Sequence, residues 1–151
     1  MAAKEILDKA KIKGYIKTSG SSGLHMYIPW GAKYNYDEAK DFIRILCYLI
    51  REELPALTYM ERNVKNLKGK IYLDFLQNRK GHTLAAAYCA RTKPVATVST
   101  ALEWKEVKPG LDMREFTIQT MPARIQEKPK IFLTVLKKGM DIKKALEHIS
   151  G

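Results

Sequence analysis

Lys17-Thr18-Ser19-Gly20-Ser21-Ser22-Gly23-Leu24-His25 is the stretch around which the chain is best read. It lies between two short apolar runs, Tyr15-Ile16 and Met26-Tyr27-Ile28, and so predicts a turn joining two strands. Gly20 and Gly23 tolerate φ > 0 and let another group approach the backbone. Ser19, Ser21 and Ser22 bring hydroxyls, Lys17 a charge and His25 an imidazole. Donors grouped in this way can hold an anion such as a phosphate. The ordinary alternative is a Gly/Ser hairpin loop, and composition alone favours it.

Working outward, Ile6, Leu7 and Ala10 predict a short helix over residues 3–11, stopped by Gly14. Strands are expected over 15–18 and 24–29. Asn35 or Asp37 can cap the next helix. Its stripe of Ala39, Phe42, Ile43, Leu46, Cys47, Leu49 and Ile50 runs to about residue 53, ahead of Pro55. The apolar run 70–76, interrupted by Asp74, predicts a strand buried on both faces in the middle of a sheet. Residues 77–82 read as a turn, and 83–89 fit helix or strand equally. A strand is expected over 97–102, a short helix after Asp112, and a brief strand at 116–118. Helices over 130–138 and 141–149 close the chain. Strands and helices are mixed without a repeat or linker, so the expectation is one α+β domain over residues 1–151.

The composition sets outer bounds. A chain of 151 residues can bury a real core. Twenty-seven Lys and Arg against 16 Asp and Glu leave a net charge of +11, which points to a polyanionic partner such as nucleic acid or nucleotide phosphates. No apolar run approaches a membrane span, and no lipidation motif accompanies the charge. Residues 1–8 carry acidic groups in a helical pattern, unlike a signal peptide, so the cytoplasm is the expected compartment. Cys47 and Cys89 sit in apolar surroundings without metal-ligand spacing, which predicts buried free thiols.

Outside the loop, Asp74 is the sharpest single residue. A carboxylate in an apolar strand is costly unless it is paired or holds a cation. It reads either as a ligand for Mg²⁺ or Mn²⁺ or as a strand-end residue capping the next turn. His25 reads as a phosphate donor beside Ser19 or as a satisfied histidine at a sheet edge. Arg91 reads as a bidentate phosphate clamp or as a solvated loop residue. His82 and His148 read as surface groups, and Trp30 and Trp104 as packing anchors. The basic series 62–70 reads as a solvated face, with contact to a DNA backbone as the alternative.

Several segments together resemble a known family. Lys17-Thr18-Ser19-Gly20, Gly23-Leu24-His25 and Tyr27-Ile28-Pro29 resemble the second motif of the polymerase domain of bacterial ligase D, in the archaeo-eukaryotic primase superfamily. Tyr72-Leu73-Asp74-Phe75-Leu76-Gln77-Asn78-Arg79, with Gly81 and Thr83, resembles the third motif. The likeness continues through Ala86–Arg91, Ala96–Leu102, Trp104, Glu106-Val107, Phe116-Thr117-Ile118 and Arg124, in the family's order.

The resemblance implies an RRM-like, mostly antiparallel sheet flanked by helices, with Asp74 and His25 on neighbouring strands. It implies that Lys17, Ser19, Gly20, Gly23, His25 and Arg91 bind a nucleoside triphosphate. It also implies that Asp74 is one of three carboxylates holding catalytic Mg²⁺ or Mn²⁺. The expected activity is nucleotidyl transfer to DNA ends during non-homologous end joining, beside a ligase module. The family's other two metal carboxylates form an Asp-x-Asp motif upstream of the Ser-Gly loop, and these 151 residues contain none. The chain is therefore expected to correspond to the C-terminal part of such a domain, inactive by itself and prone to self-association. The alternative is a non-catalytic nucleic-acid or nucleotide-binding module, or a subunit completed by a separate chain.

Overall fold

Residues 2–61, 69–137 and 139–150 are described by a computed structural model. Arg62, Lys65 and Lys68 of the basic series lie outside them. The chain forms two compact units. One comprises Met1–Lys13, Trp30–Thr83 and Gly139–Gly151, the other Gly14–Pro29 and Leu84–Lys138.

The first unit is built on helices α1 (Ala2–Lys9), α2 (Tyr36–Glu53) and α4 (Ile142–Ser150). Asn35 starts α2: its side chain accepts from the Asp37 and Glu38 amides, and the Glu38 carboxylate accepts from the Asn35 amide. Ala39, Phe42, Leu46, Cys47 and Ile50 are buried along one stripe of α2, as the 3.6-residue spacing predicts. They pack with Ile6 and Leu7 of α1 in the same unit. Trp30 meets Phe42 edge-on at 5.2 Å and Tyr34 at 5.9 Å. The Tyr34 hydroxyl accepts from the Ile142 amide at 3.0 Å and so ties the start of α4 to this corner.

Strands β3 (Thr58–Tyr59) and β4 (Ile71–Tyr72) pair in parallel. This corrects the reading of 70–76 as a central strand. Only two residues pair, and Ile71 is 63% exposed, so the run is not covered on both faces. Beyond β4 the chain turns at once, because the Asp74 carboxylate accepts from the Leu76 amide at 3.0 Å.

The second unit contains a three-stranded antiparallel sheet in the order β2 (Leu24–Tyr27), β1 (Tyr15–Thr18), β5 (Ala101–Leu102). The expected strand 97–102 is its spine, but divided. Thr97 and Val98 bridge Thr117 on one side and Ala90 on the other, and residues 101–102 pair with β1. Residues 83–89 form neither helix nor strand: Tyr88 takes φ 67°, and the Tyr88 amide and Cys89 carbonyl both bond to Ser99, two residues against one. The brief strand at 116–118 reduces to the single bridge at Thr117. A helix not anticipated, α3 (Met121–Glu127), follows. The expected helix 130–138 is only a 3-10 turn at Leu133–Leu136, since Leu133 and Leu136 are 64% and 91% exposed and supply no buried face. Phe132 meets the edges of Tyr15 and Tyr27, closing one side of the hairpin. Among the described residues the architecture is α+β, with no helix long and apolar enough to cross a membrane.

Candidate phosphate-binding site

The β1–β2 hairpin sets the site. Its register puts Lys17 opposite His25 and Thr18 opposite Leu24. Directly opposed side chains lie close enough to interact. The Lys17 ammonium donates to His25 Nδ1 at 3.0 Å and to Ser99 Oγ at 2.5 Å, with a weaker contact to the Thr18 carbonyl at 3.4 Å. Lys17 is fully buried. Burial pushes its pKa down to about 8; the Cys89 thiol works against that shift and the Arg91 guanidinium reinforces it. The ammonium also lies 5.7 Å from the centre of the Tyr27 ring.

The loop closes on itself. Ser19 Oγ accepts from the Ser21 amide at 3.0 Å and from the Gly23 amide at 3.1 Å, and the Ser19 amide donates to the Gly23 carbonyl at 2.8 Å. Gly20 takes φ 69°. A Cβ there would meet Arg91 Cγ at 2.5 Å and the Ser99 amide nitrogen at 3.0 Å. So glycine at 20 lets the stem of Arg91 lie on the loop backbone. Gly23 shows neither property: its φ is not positive, and a Cβ there would meet nothing within 4 Å.

Beneath the loop runs a ladder of buried hydroxyls. Thr18 Oγ1 accepts from the Thr100 amide and donates to the Val98 carbonyl. Ser99 Oγ donates to the Thr18 carbonyl at 2.8 Å, and Thr97 Oγ1 donates to the Gly20 carbonyl at 2.5 Å. No buried side-chain polar atom among the described residues lacks a partner. Sequence reasoning missed this ladder. Its signal was Thr97-Val98-Ser99-Thr100, three hydroxyls in four residues of an otherwise apolar strand.

A second network in the same unit was also missed. Arg124 donates both terminal nitrogens to Glu106, at 2.9 and 2.8 Å, and one of them also to the Ala101 carbonyl. Lys128 joins Glu103 and Glu106 at 2.8 and 3.0 Å. The Arg124 guanidinium, above all, holds the Glu106 carboxyl down at about 2. The spacings Glu103/Glu106 and Arg124/Lys128, one helical turn each, were the available signal.

Lys17, Ser19, Gly20, Gly23, His25 and Arg91 thus all belong to the second unit. Hydrogen bonding joins Lys17 to His25, packing joins Gly20 to Arg91, and electrostatics joins Arg91 to Lys17. Asp74 belongs to the first unit. Since β4 pairs with β3 and β2 with β1, Asp74 and His25 do not follow or occupy adjacent strands. Asp74 is exposed and caps its own turn, the plainer of its two readings. Among the described residues no three His, Cys, Asp or Glu side chains gather to hold a metal ion. His82 accepts from Arg79 at 2.5 Å and, like His148, is exposed. Cys47 is buried and Cys89 half-buried, both as free thiols.

The fold has a solved counterpart. The polymerase domain from Mycobacterium tuberculosis ligase D, solved in complex with DNA, superposes with a TM-score of 0.83 at 23% identity, over 92% of this chain and 48% of that one. The fold is therefore that of a ligase D polymerase domain. The sequence profile described as "LigD, primase-polymerase domain" matches residues 1–132, and the chain belongs to that family. It is 35% identical over 125 residues to the bifunctional non-homologous end joining protein LigD of Bacillus subtilis, covering 82% of this chain and 20% of that protein. It is 27% identical over 122 residues to the multifunctional LigD protein of Pseudomonas aeruginosa, covering 81% of this chain and 14% of that one. The chain thus spans about a fifth or less of the length of these relatives.

Proposed function

We propose that this chain supplies the triphosphate-binding part of a primase-polymerase domain that adds nucleotides to DNA ends for end joining. The observation that carries the reading is the cluster of Lys17, Ser19, His25 and Arg91 around the Gly20 turn, set on a fully satisfied hydroxyl ladder. Phosphoryl transfer needs negative charge held in place, and cationic and hydroxyl donors on a rigid hairpin do that. Ser19, His25 and Arg91 would contact the triphosphate. Divalent metal, Mg²⁺ or Mn²⁺, would supply the activation of the attacking and leaving oxygens in the intact centre. The described residues do not fit a complete metal site, and Asp74 alone cannot organise one. The remaining carboxylates would come from an Asp-x-Asp motif outside these 151 residues, on the same or another chain.

Calorimetric titration with ATP tests the reading. Micromolar binding is expected, weakened at least about tenfold by Arg91→Ala, the cost of losing a charge-assisted pair. Binding unchanged by Ser19→Ala and Arg91→Ala together would refute it. Primer extension with Mn²⁺ is expected to give no product from the 151 residues alone. A second reading, a non-catalytic nucleic-acid-binding module of the bacterial cytoplasm, draws on the net charge of +11. Salt-dependent DNA binding that survives loss of Ser19 and Arg91 would favour it.

A further inference from the structure

We propose that copies of this chain associate through an apolar knob and groove: the Leu133–Leu136 turn of one copy seats in the groove lined by α1, α2 and α4 of the next. The contact involves neither the phosphate loop nor whatever that loop binds.

The knob is anchored and faces outward. Residues three apart in a 3-10 turn eclipse one another, so Leu133 and Leu136 share one side. They are the two most exposed large hydrophobic side chains among the described residues. Their neighbours are fastened down. The Tyr15 hydroxyl donates to Thr134 Oγ1 at 2.8 Å, and Phe132 meets Tyr15 and Tyr27 edge-on at 6.0 and 5.4 Å. A turn held in this way has little freedom left to lose on docking. Lys130 and Lys137 flank it, both exposed, and neither has a carboxylate partner among the described residues.

The groove belongs to the helical unit. Ile6 of α1, Leu49 of α2 and Ile149 of α4 give it an apolar lining, one residue from each helix. Its volume is about 540 Å³, ample for two leucine side chains. Glu52 and Glu53 line it beside Lys9 and His148. Lys9 reaches Glu53 at 3.6 Å and offsets its charge, whereas Glu52 has no ion-pair partner among the described residues. An apolar groove with an unpaired carboxylate fits aliphatic side chains set beside a cation. The 3-10 turn offers two leucines between two lysines. Burial of the leucines drives the association, and attraction between Glu52 and a flanking lysine sets its register.

The contact is small, so the affinity is weak, with a Kd on the order of 100 µM. Each copy carries a net charge of +11, and copies therefore repel at low ionic strength. At about 0.15 M salt the screening length is about 8 Å, and only the charges close to the contact count.

The test is sedimentation equilibrium of the 151-residue chain at that salt, from about 10 µM to about 1 mM. The mean mass is expected to rise with concentration. Leu136→Ser should weaken association at least about tenfold, with the circular dichroism spectrum unchanged because the side chain lies in solvent. Lys137→Glu and Glu52→Lys should each weaken it about threefold, since each sets like charges face to face. An equimolar mixture of those two variants should regain the association of the parent, because the knob of either meets an opposite charge in the groove of the other. A chain that stays monomeric at about 1 mM overturns the proposal. So does association that Leu136→Ser leaves unchanged, or a mixture that associates no more tightly than its components. A monomer that binds phosphatidylglycerol vesicles through Leu136 assigns the knob to a lipid surface and overturns it as well.

Discussion

Glu106→Gln removes one charge from the Glu106–Arg124–Lys128 network and keeps the shape of the side chain. The side chains of Glu106 and Arg124 are only 20% and 16% exposed, so solvent screens the pair weakly. The Glu106 carboxyl is held at about 2 against an ordinary 4.5, chiefly by the Arg124 hydrogen bonds. A carboxylate depressed in the folded state stabilises above its unfolded pKa, and that contribution fades as pH falls toward the folded value. With 1.36 kcal/mol for each pH unit between the two values, the ionised group is worth about 3 kcal/mol at pH 7. The same linkage gives about 2 kcal/mol at pH 3.5 and about 1 at pH 3.

Urea unfolding at these three pH values, followed by Trp104 fluorescence in a Trp30→Phe background, measures this in the segment that carries Glu106. The penalty of Glu106→Gln should track that decline. A penalty under about 1 kcal/mol at pH 7 would mean that desolvation cancels the pairing. A penalty that does not change with pH would mean that packing, not charge, is what the substitution disturbs.

The two loop glycines separate by the space around them. Gly20→Ala should cost about 2–3 kcal/mol in the same assay, because φ is positive and a Cβ would press on Arg91 Cγ and the Ser99 amide. Gly23→Ala should fall within about 0.5 kcal/mol of the parent, since no heavy atom lies within 4 Å of the new methyl. Asn35→Ala should cost about 1 kcal/mol through loss of the α2 cap, seen as an earlier thermal transition, with the helix still present by circular dichroism.

Much of this was legible in the chain, and the reasons differ by segment. The hairpin could be read because two apolar runs flank a Gly/Ser tip; 15–18 paired with 24–27 follows directly. The α2 cap and buried stripe could be read because periodicity and capping are local. The run 70–76 could not, since its hydrophobicity says nothing about what covers it, and in the fold Ile71 is left exposed. Segment 83–89 defeated pattern reading because only its end bonds across, Tyr88 and Cys89 both to Ser99, and the positive φ at Tyr88 is not legible from a tyrosine. Helix α3 begins Met121-Pro122 with Pro in its first turn, a start signal that was present and passed over. Of the site residues, Lys17, Ser19, His25 and Arg91 were named from the chain. That Lys17 is buried and faces inward was not foreseeable, because a lysine in a four-residue strand points either way with equal ease.

The buried hydroxyls under the loop have a consequence for how this chain could be diversified. In a library randomised over residues 18–23 and 97–100, Thr18 carries a donated and an accepted bond, and Ser99 a bond to the strand and another to Lys17. Valine at position 18, though isosteric with threonine, would strand the Thr100 amide, while the Val98 carbonyl would keep the Thr100 hydroxyl, so survivors there should be Thr and Ser alone. Ser21 and Ser22 are exposed, and their side chains should accept nearly any replacement. The diversity that such a selection retains would therefore sit at the tip of the hairpin and vanish a few ångströms below it. An engineer seeking new ligands for this loop can rewrite its rim but has to leave its floor as it is.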